Sequence, residues 1–242
     1  MKLLLAHTKA ELLALVRNPG FLIPTMVFPS MFFLMFAAPG LTSVAAANFA
    51  TGSFMAFAVF TVTFFQFGVG TANDRENPWS SYVRTLPAHP IYRNIGKVLT
   101  AAALALLAAL VLVVSAGLST PLDLPLERWP RIFAALAAGG VTMGMLGTAL
   151  AYLANPKAAL PLANLIYLPL AYAGGMWMPP QLLPKVVQDL SPYLPTRQWM
   201  ELVWPAVQGS DWNLEHALAL AGFAVAFALL AAWAQRRDAI VR

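Results

Sequence analysis

GSFMAFAVFTVTFFQFGVGTA, residues 52–72, has no charged side chain, and NDRENPWSSYVRTLPAHPIYRNIGK, residues 73–97, follows it directly. A helix needs about 20 apolar residues to cross the hydrocarbon core of a bilayer. The first stretch therefore predicts a membrane span and the second a polar connection leading to another span. The insert carries Asp74, Arg75, Glu76, Arg84, Arg93 and Lys97 in a chain otherwise nearly free of charge. It has enough polar chemistry to form a docking surface.

Composition agrees with that reading. The 242 residues are 60% hydrophobic and 10% charged, with mean hydropathy +0.68, against roughly 25% charge in a soluble domain. Six apolar windows predict spans at about 21–38, 52–72, 98–117, 132–154, 158–178 and 214–234. The expected fold is all-α and integral to the membrane, with residues 1–242 forming one transmembrane domain. Unbroken apolar runs exclude a β-barrel, which alternates over segments of about ten residues. The first span is not expected to be a cleaved signal peptide, since Glu11 and Arg17 precede it and no small-residue cleavage site follows. The chain has no cysteine, which excludes disulfides and thiolate-ligated metal.

The formal net charge of +5 could suggest a nucleic-acid partner, but its distribution has a simpler cause. Eleven of the 15 lysines and arginines fall in the N-terminal lead, the insert, the connection at Lys157 and the tail. The positive-inside rule places those segments, and so both termini, in the cytoplasm. An even number of spans agrees.

Residues 2–18 read as an amphipathic helix lying in the cytoplasmic interface, with Leu5, Leu12, Leu13 and Val16 on one side, ending at Asn18-Pro19-Gly20. Asn155-Pro156-Lys157 reads as a tight inner turn. The last outer connection, 179–205, holds six of the 19 prolines and is too apolar for a solvated loop. Two short helices at about 184–190 and 197–204 are expected there, the second capped by Thr196, as a re-entrant or interfacial hairpin. Trp199, Leu202 and Val203 would form its apolar stripe, with the tryptophans at headgroup level.

Within the insert, Asn77 suits an N-cap and Pro78 a first helical position. A helix from Pro78 to Leu86 would put Trp79, Tyr82, Val83 and Leu86 on one face and Ser80, Ser81 and Arg84 on the other, stopping at Pro87. Asp74 and Glu76 would favour its N-terminal end. Such a helix can simply connect two spans on the membrane surface, or transmit force from a partner.

Several classes of chemistry find no support. Gly96-Lys97 resembles the end of a phosphate-binding loop, but Ile91 and Val98 stand where that motif needs glycine and Ser or Thr. Gly68-Val69-Gly70 fits helix packing. No expected span core contains Asp, Glu, Lys, Arg or His, where an ion-coupled carrier or intramembrane enzyme would place them. His7 and His89 lack metal-ligand spacing, and no nucleophile–base pair is evident. No catalytic, cofactor-binding or metal-binding residue is predicted, and the chain is not expected to be an enzyme. Gln66, Tyr152, Asn164, Tyr167 and Tyr172 read first as interhelical hydrogen-bond partners. Phe60, Phe64 and Phe67 share one helical face that could line an apolar path or meet lipid.

Taken in order, these features resemble a membrane subunit of a bacterial ABC exporter of the ABC-2 type, over essentially the whole chain. RNPGFLIPTMVFPSMFFLMF, residues 17–36, is similar to that family's passage from interfacial helix to first span. Asp74–Glu76, Leu86-Pro87 and Gly96-Lys97 resemble its charged helix after the second span and the approach to the third. Gly174-Gly175-Met176-Trp177-Met178-Pro179, with Leu183-Pro184 and Ser191-Pro192 beyond, resembles its signature after the fifth. Asn77-Pro78 departs from the glycine and small residues common there.

The resemblance implies a permease subunit that pairs with a second copy or a homologue into a twelve-span unit in the bacterial inner membrane. Two separate ATPase subunits, carrying the ATP and Mg, would grip the insert as a coupling helix. Their docking residues would be Asp74, Arg75, Glu76, Trp79, Tyr82, Val83 and Arg84. Membrane lipid is a further partner, and nucleic acid is not. The second and fifth spans would meet at the dimer interface, bringing Phe64, Gln66, Asn164 and Tyr167 to the substrate path. The expected cargo is a lipophilic, drug-like (as in multidrug export) or lipid-like molecule. Export of a polysaccharide or glycolipid, and an ion-coupled carrier, are the alternatives.

Overall fold

The computed structural model describes residues 2–17, 19–77 and 90–241, and every regular element among them is helical. Ten α-helices appear in order: α1 Lys2–Val16, α2 Pro19–Phe32, α3 Val44–Phe65, α4 Thr71–Glu76, α5 Pro90–Ser119, α6 Trp129–Leu153, α7 Pro156–Ala173, α8 Lys185–Leu190, α9 Pro195–Gln208 and α10 Leu214–Val241. Five helical stretches among the described residues are long and apolar enough to cross a membrane: Leu22–Gly40, Val44–Glu76, Asn94–Ser119, Leu126–Leu153 and Leu214–Asp238. The chain is an all-α integral membrane protein.

The second stretch is longer than its sequence suggests. Ser43, in extended conformation, accepts a bond from the Ala46 amide through its Oγ at 3.3 Å and starts α3 eight residues before the expected Gly52. The added residues begin with Val44-Ala45-Ala46-Ala47-Asn48, small or weakly apolar side chains that carry little periodic signal. At the other end α3 runs through a π turn, Gln66–Gly70, into α4. The 33-residue path is about 50 Å long, so it projects beyond the hydrocarbon core.

α3 is the axis of the bundle, with every residue from Thr51 to Phe64 buried. α5 and α6 pack along it, and α10 packs on the outside of α6. Small residues set the closest approach: a Cβ on Gly147 of α6 would lie 2.6 Å from the Phe64 carbonyl oxygen and 3.1 Å from the Gly68 amide nitrogen. With no apolar-burial gain between helices in lipid, such backbone proximity is what dispersion can exploit. Around this core the outer surfaces of α5 and α10 expose large apolar side chains, including Leu106, Leu110, Leu229 and Trp233, as a lipid-solvated protein requires.

α7 corresponds to the fifth expected span. Asn155 caps it, accepting from the Lys157 amide at 3.1 Å. Pro161 and Pro169 lie inside it, and its 18 residues cover about 27 Å. Lys157, Asn164 and the prolines dilute its apolar character, so it is not among the five stretches. Its course is fixed by its neighbours: it begins beside α4 and ends where Thr196 Oγ1 donates to the Leu170 carbonyl at 2.7 Å. α6 and α10 both start at the Arg128–Arg131 end of the bundle and finish at the Arg75 end, so α7 is the segment that returns the chain between them.

The last connection folds as two helices, α8 and α9. α9 is longer than expected, and its N-cap is Leu194 rather than Thr196, whose buried hydroxyl instead ties α9 to α7. The apolar stripe is present, with Trp199, Leu202 and Val203 buried. The two tryptophans of α9 pack inside the protein. Trp199 is fully buried, its Nε1 donating to the Ala135 carbonyl at 2.8 Å, and a Cβ on Gly139 would fall within its indole ring. Trp204 stacks on Phe49 and donates to Ser53 Oγ at 2.8 Å. Indole N–H groups that find protein partners can be buried where lipid contact would otherwise leave them at the interface.

Candidate functional site

Two groups of predicted residues fall in different parts of the bundle. The first lies where α3–α4 leaves it. Asp74 Oδ2 is 2.7 Å from Lys97 Nζ at the start of α5, and that ammonium also donates to Thr71 Oγ1 at 2.9 Å. Arg75 turns inward: its guanidinium donates to the Ala151 carbonyl at the end of α6 and pairs with Asp238 on α10. It also stands 5.0 Å from the centre of the Tyr152 ring. The Arg75 side chain is 7% exposed, whereas Asp74 is 52% exposed, and Glu76 is exposed. Of the predicted docking residues, Asp74 and Glu76 thus face outward and Arg75 links three helices. Trp79, Tyr82, Val83 and Arg84, with the helix expected from Pro78 to Leu86, lie outside the described residues.

Local pattern does not link Arg75 to Asp238. The two residues stand 163 positions apart, and Asp238 follows Arg236 and Arg237, which dominate the charge of the tail. An acidic residue at the end of the last span was the available signal. A polar pocket of about 220 Å³ opens beside these groups, lined by Glu11, Thr71, Asp74, Asn94, Lys97 and Gln235 among others.

The second group is aromatic. Phe57, Phe60 and Phe64 of α3 surround Tyr167 of α7, at ring-centre distances of 5.4, 4.8 and 6.4 Å. The Tyr167 hydroxyl meets Thr61 Oγ1, which donates its single proton to the Phe57 carbonyl at 2.8 Å. Tyr167 is therefore the donor to Thr61. Phe64 and Tyr167 are thus brought together and closed to solvent. Gln66 is buried within the π turn, and Asn164 turns its amide back to the Leu160 carbonyl at 3.1 Å. No hydrogen bond joins Gln66 to Asn164 among the described residues. π turns inside helices are often found at functional positions, and this one separates the aromatic contact from Arg75.

Trp177 escaped the sequence reading as a site residue. It lies 5.3 Å from Phe32 and 5.6 Å from Phe57, ring centre to ring centre, and its buried Nε1 has no partner among the described residues.

Helices of spanning length, an apolar exterior and an interhelical core that is aromatic and uncharged define a polytopic membrane protein. The family model for ABC-2 type transporters matches residues 2–205, and the chain belongs to that family. It is also similar to "Putative transport permease YvfS" of Bacillus subtilis (strain 168), with 22% identity over 245 residues and full coverage of both chains. No solved structure matches the chain. The protein is a multi-pass membrane transport permease.

Proposed function

We propose that this permease exports a lipophilic or lipid-like molecule from the cytoplasm or inner leaflet, driven by ATP hydrolysis on separate ATPase subunits. The observation that carries the reading is the anchoring of the insert's first residues. Asp74 is held to α5, while Arg75 is held to α6 and α10. A push or pull on 78–86 would therefore reach three long helices at once. Trp79, Tyr82, Val83 and Arg84 are proposed to meet the ATPase, with Asp74 and Glu76 as polar flanks and Arg75 passing the movement inward. ATP and Mg would be bound by the partner, and none by this chain.

On this reading α7 completes six spans, with both termini on the cytoplasmic face of the bacterial inner membrane, and two copies of the chain form the transport unit. Substrate would move where α3 and α7 separate, past Phe64, Gln66, Asn164 and Tyr167. The uncharged lining of that contact supports an apolar cargo. Co-purification with the partner ATPase tests the docking. Tyr82→Ala should leave the permease folded but lose the ATPase, and retention of the ATPase at the parent level would refute docking through this face. Alanine at Phe64 and Tyr167 should abolish ATP-dependent dye export from proteoliposomes; unchanged export would remove those residues from the path.

A further inference from the structure

On the side of α3 away from Tyr167, an apolar groove of about 640 Å³ runs between α3, α5 and α6. Its floor is Val59, Thr63 and Phe67, spaced four residues apart on one face of α3 and its π turn. Its walls are open because they are built from small residues, among them Ala102 and Ala105 on α5 and Ala137 and Gly140 on α6. Phe67, Val98 and Thr148 line both this groove and the polar pocket that holds Lys97 and Asp74. The two cavities therefore adjoin, an apolar body beside a polar head.

Length and charge both specify an occupant. Along α5 the groove extends from Val98 to Ala109, which is about 17 Å of helix. Along α6 it extends from Phe133 to Thr148, about 22 Å; half of the hydrocarbon core is about 15 Å, so the groove is long enough for an acyl chain of one leaflet. The head pocket is lined by two carboxylates, Glu11 and Asp74, by Lys97, and by Arg75, whose charge Asp238 already balances. A purely anionic headgroup would meet as much repulsion as attraction there. A phosphate joined to an ammonium finds an opposite charge for each. Lys97 has three donor protons and gives two of them, to Asp74 and Thr71, which leaves one for a phosphate oxygen.

We propose that this site binds a zwitterionic glycerophospholipid of the leaflet at the Arg75 end. Its phosphate lies at Lys97 and Asn94, its ammonium at the half-exposed Asp74, and one acyl chain fills the groove. The site uses a different face of α3 from the Phe64–Tyr167 contact, and it stands whether or not the chain is an ATP-driven exporter.

The test uses the purified full chain in nanodiscs of equal phosphatidylethanolamine and phosphatidylglycerol, with a trace of phosphatidylethanolamine carrying a diazirine on its acyl chain. Illumination should label α5 and α6 along the groove in preference to the exposed α10 face at Leu229 and Trp233. Ala102→Phe and Ala137→Phe, both at exposed positions, should remove that label. Lys97→Gln should weaken phosphatidylethanolamine retention in detergent by about tenfold, the scale of one charged hydrogen bond. Equal labelling of the groove and α10 would overturn the proposal, leaving bulk lipid only. Preferential retention of phosphatidylglycerol would overturn the headgroup assignment. Because the chain has no cysteine, Ala102→Cys provides a second readout that does not rely on the phenylalanine variants folding. Phosphatidylethanolamine should shield that thiol from a maleimide more than phosphatidylglycerol does. A disulfide between two copies at that position would show instead that a second copy covers the groove.

Discussion

Arg75 and Asp74 are neighbours in sequence with different physical weights. The Arg75 guanidinium is withdrawn from water and held by Asp238, the Ala151 carbonyl and the face of Tyr152. Removing one partner of a buried ion pair strands the other in low dielectric, at a cost of about 3 kcal/mol. Asp238→Ala should therefore lower thermal stability in detergent by about that amount, while Arg75→Met combined with Asp238→Leu should restore most of it. A double variant no more stable than Asp238→Ala would show that the pair does not act as a unit. Asp74 is half exposed, and an exposed ion pair contributes at most about 1 kcal/mol. Asp74→Asn should leave the unfolding midpoint nearly unchanged, and a large loss would contradict the assignment of weight to Arg75.

At the scale of the elements, α6 works as a glycine-faced helix with two opposite contacts. Gly147 admits the backbone of α3 at Phe64, and Gly139 admits the indole of Trp199 from α9. Neither neighbour of Gly147 can yield, since both contacts are with backbone, so Gly147→Ala should destabilise by about 2 kcal/mol, in the range of overpacked cores. At Gly139 the obstacle is a side chain, so Gly139→Ala should be partly rescued by Trp199→Leu; failure of that rescue would contradict the packing described. The long apolar helices were legible because twenty uncharged residues have few alternatives to a span. The two helices of the last connection were legible because its prolines and apolar stripe conflict with a solvated loop. The early start of α3, its π turn and the true cap of α9 were not. An extra residue in a helical turn has no compositional mark, and a threonine before an apolar stripe reads as a cap until a neighbouring carbonyl claims its hydroxyl. In the site, Phe60 and Phe64 share the face that their spacing indicates, but Phe67 does not join them: it lies within the π turn and lines the opposite side of α3, against α6. The Arg75–Asp238 link depends on how α10 returns beside α4, which local pattern does not encode.

For the whole molecule, the arrangement of ends is the first thing to test. Single cysteines replacing Glu76 and Ser210 lie at opposite ends of the bundle. In intact cells a membrane-impermeant maleimide should label Ser210→Cys, and it should reach Glu76→Cys only after permeabilisation. The reverse pattern would invert the proposed orientation. The central claim is that movement of the insert reaches the spans through Arg75. Its most direct test is ATP-driven export of a lipophilic dye from proteoliposomes holding the partner ATPase and the Arg75→Met, Asp238→Leu double variant, with ATPase retention measured on the same sample. The account predicts that the ATPase stays bound and hydrolyses ATP while export falls to background. Export at the parent rate would contradict it.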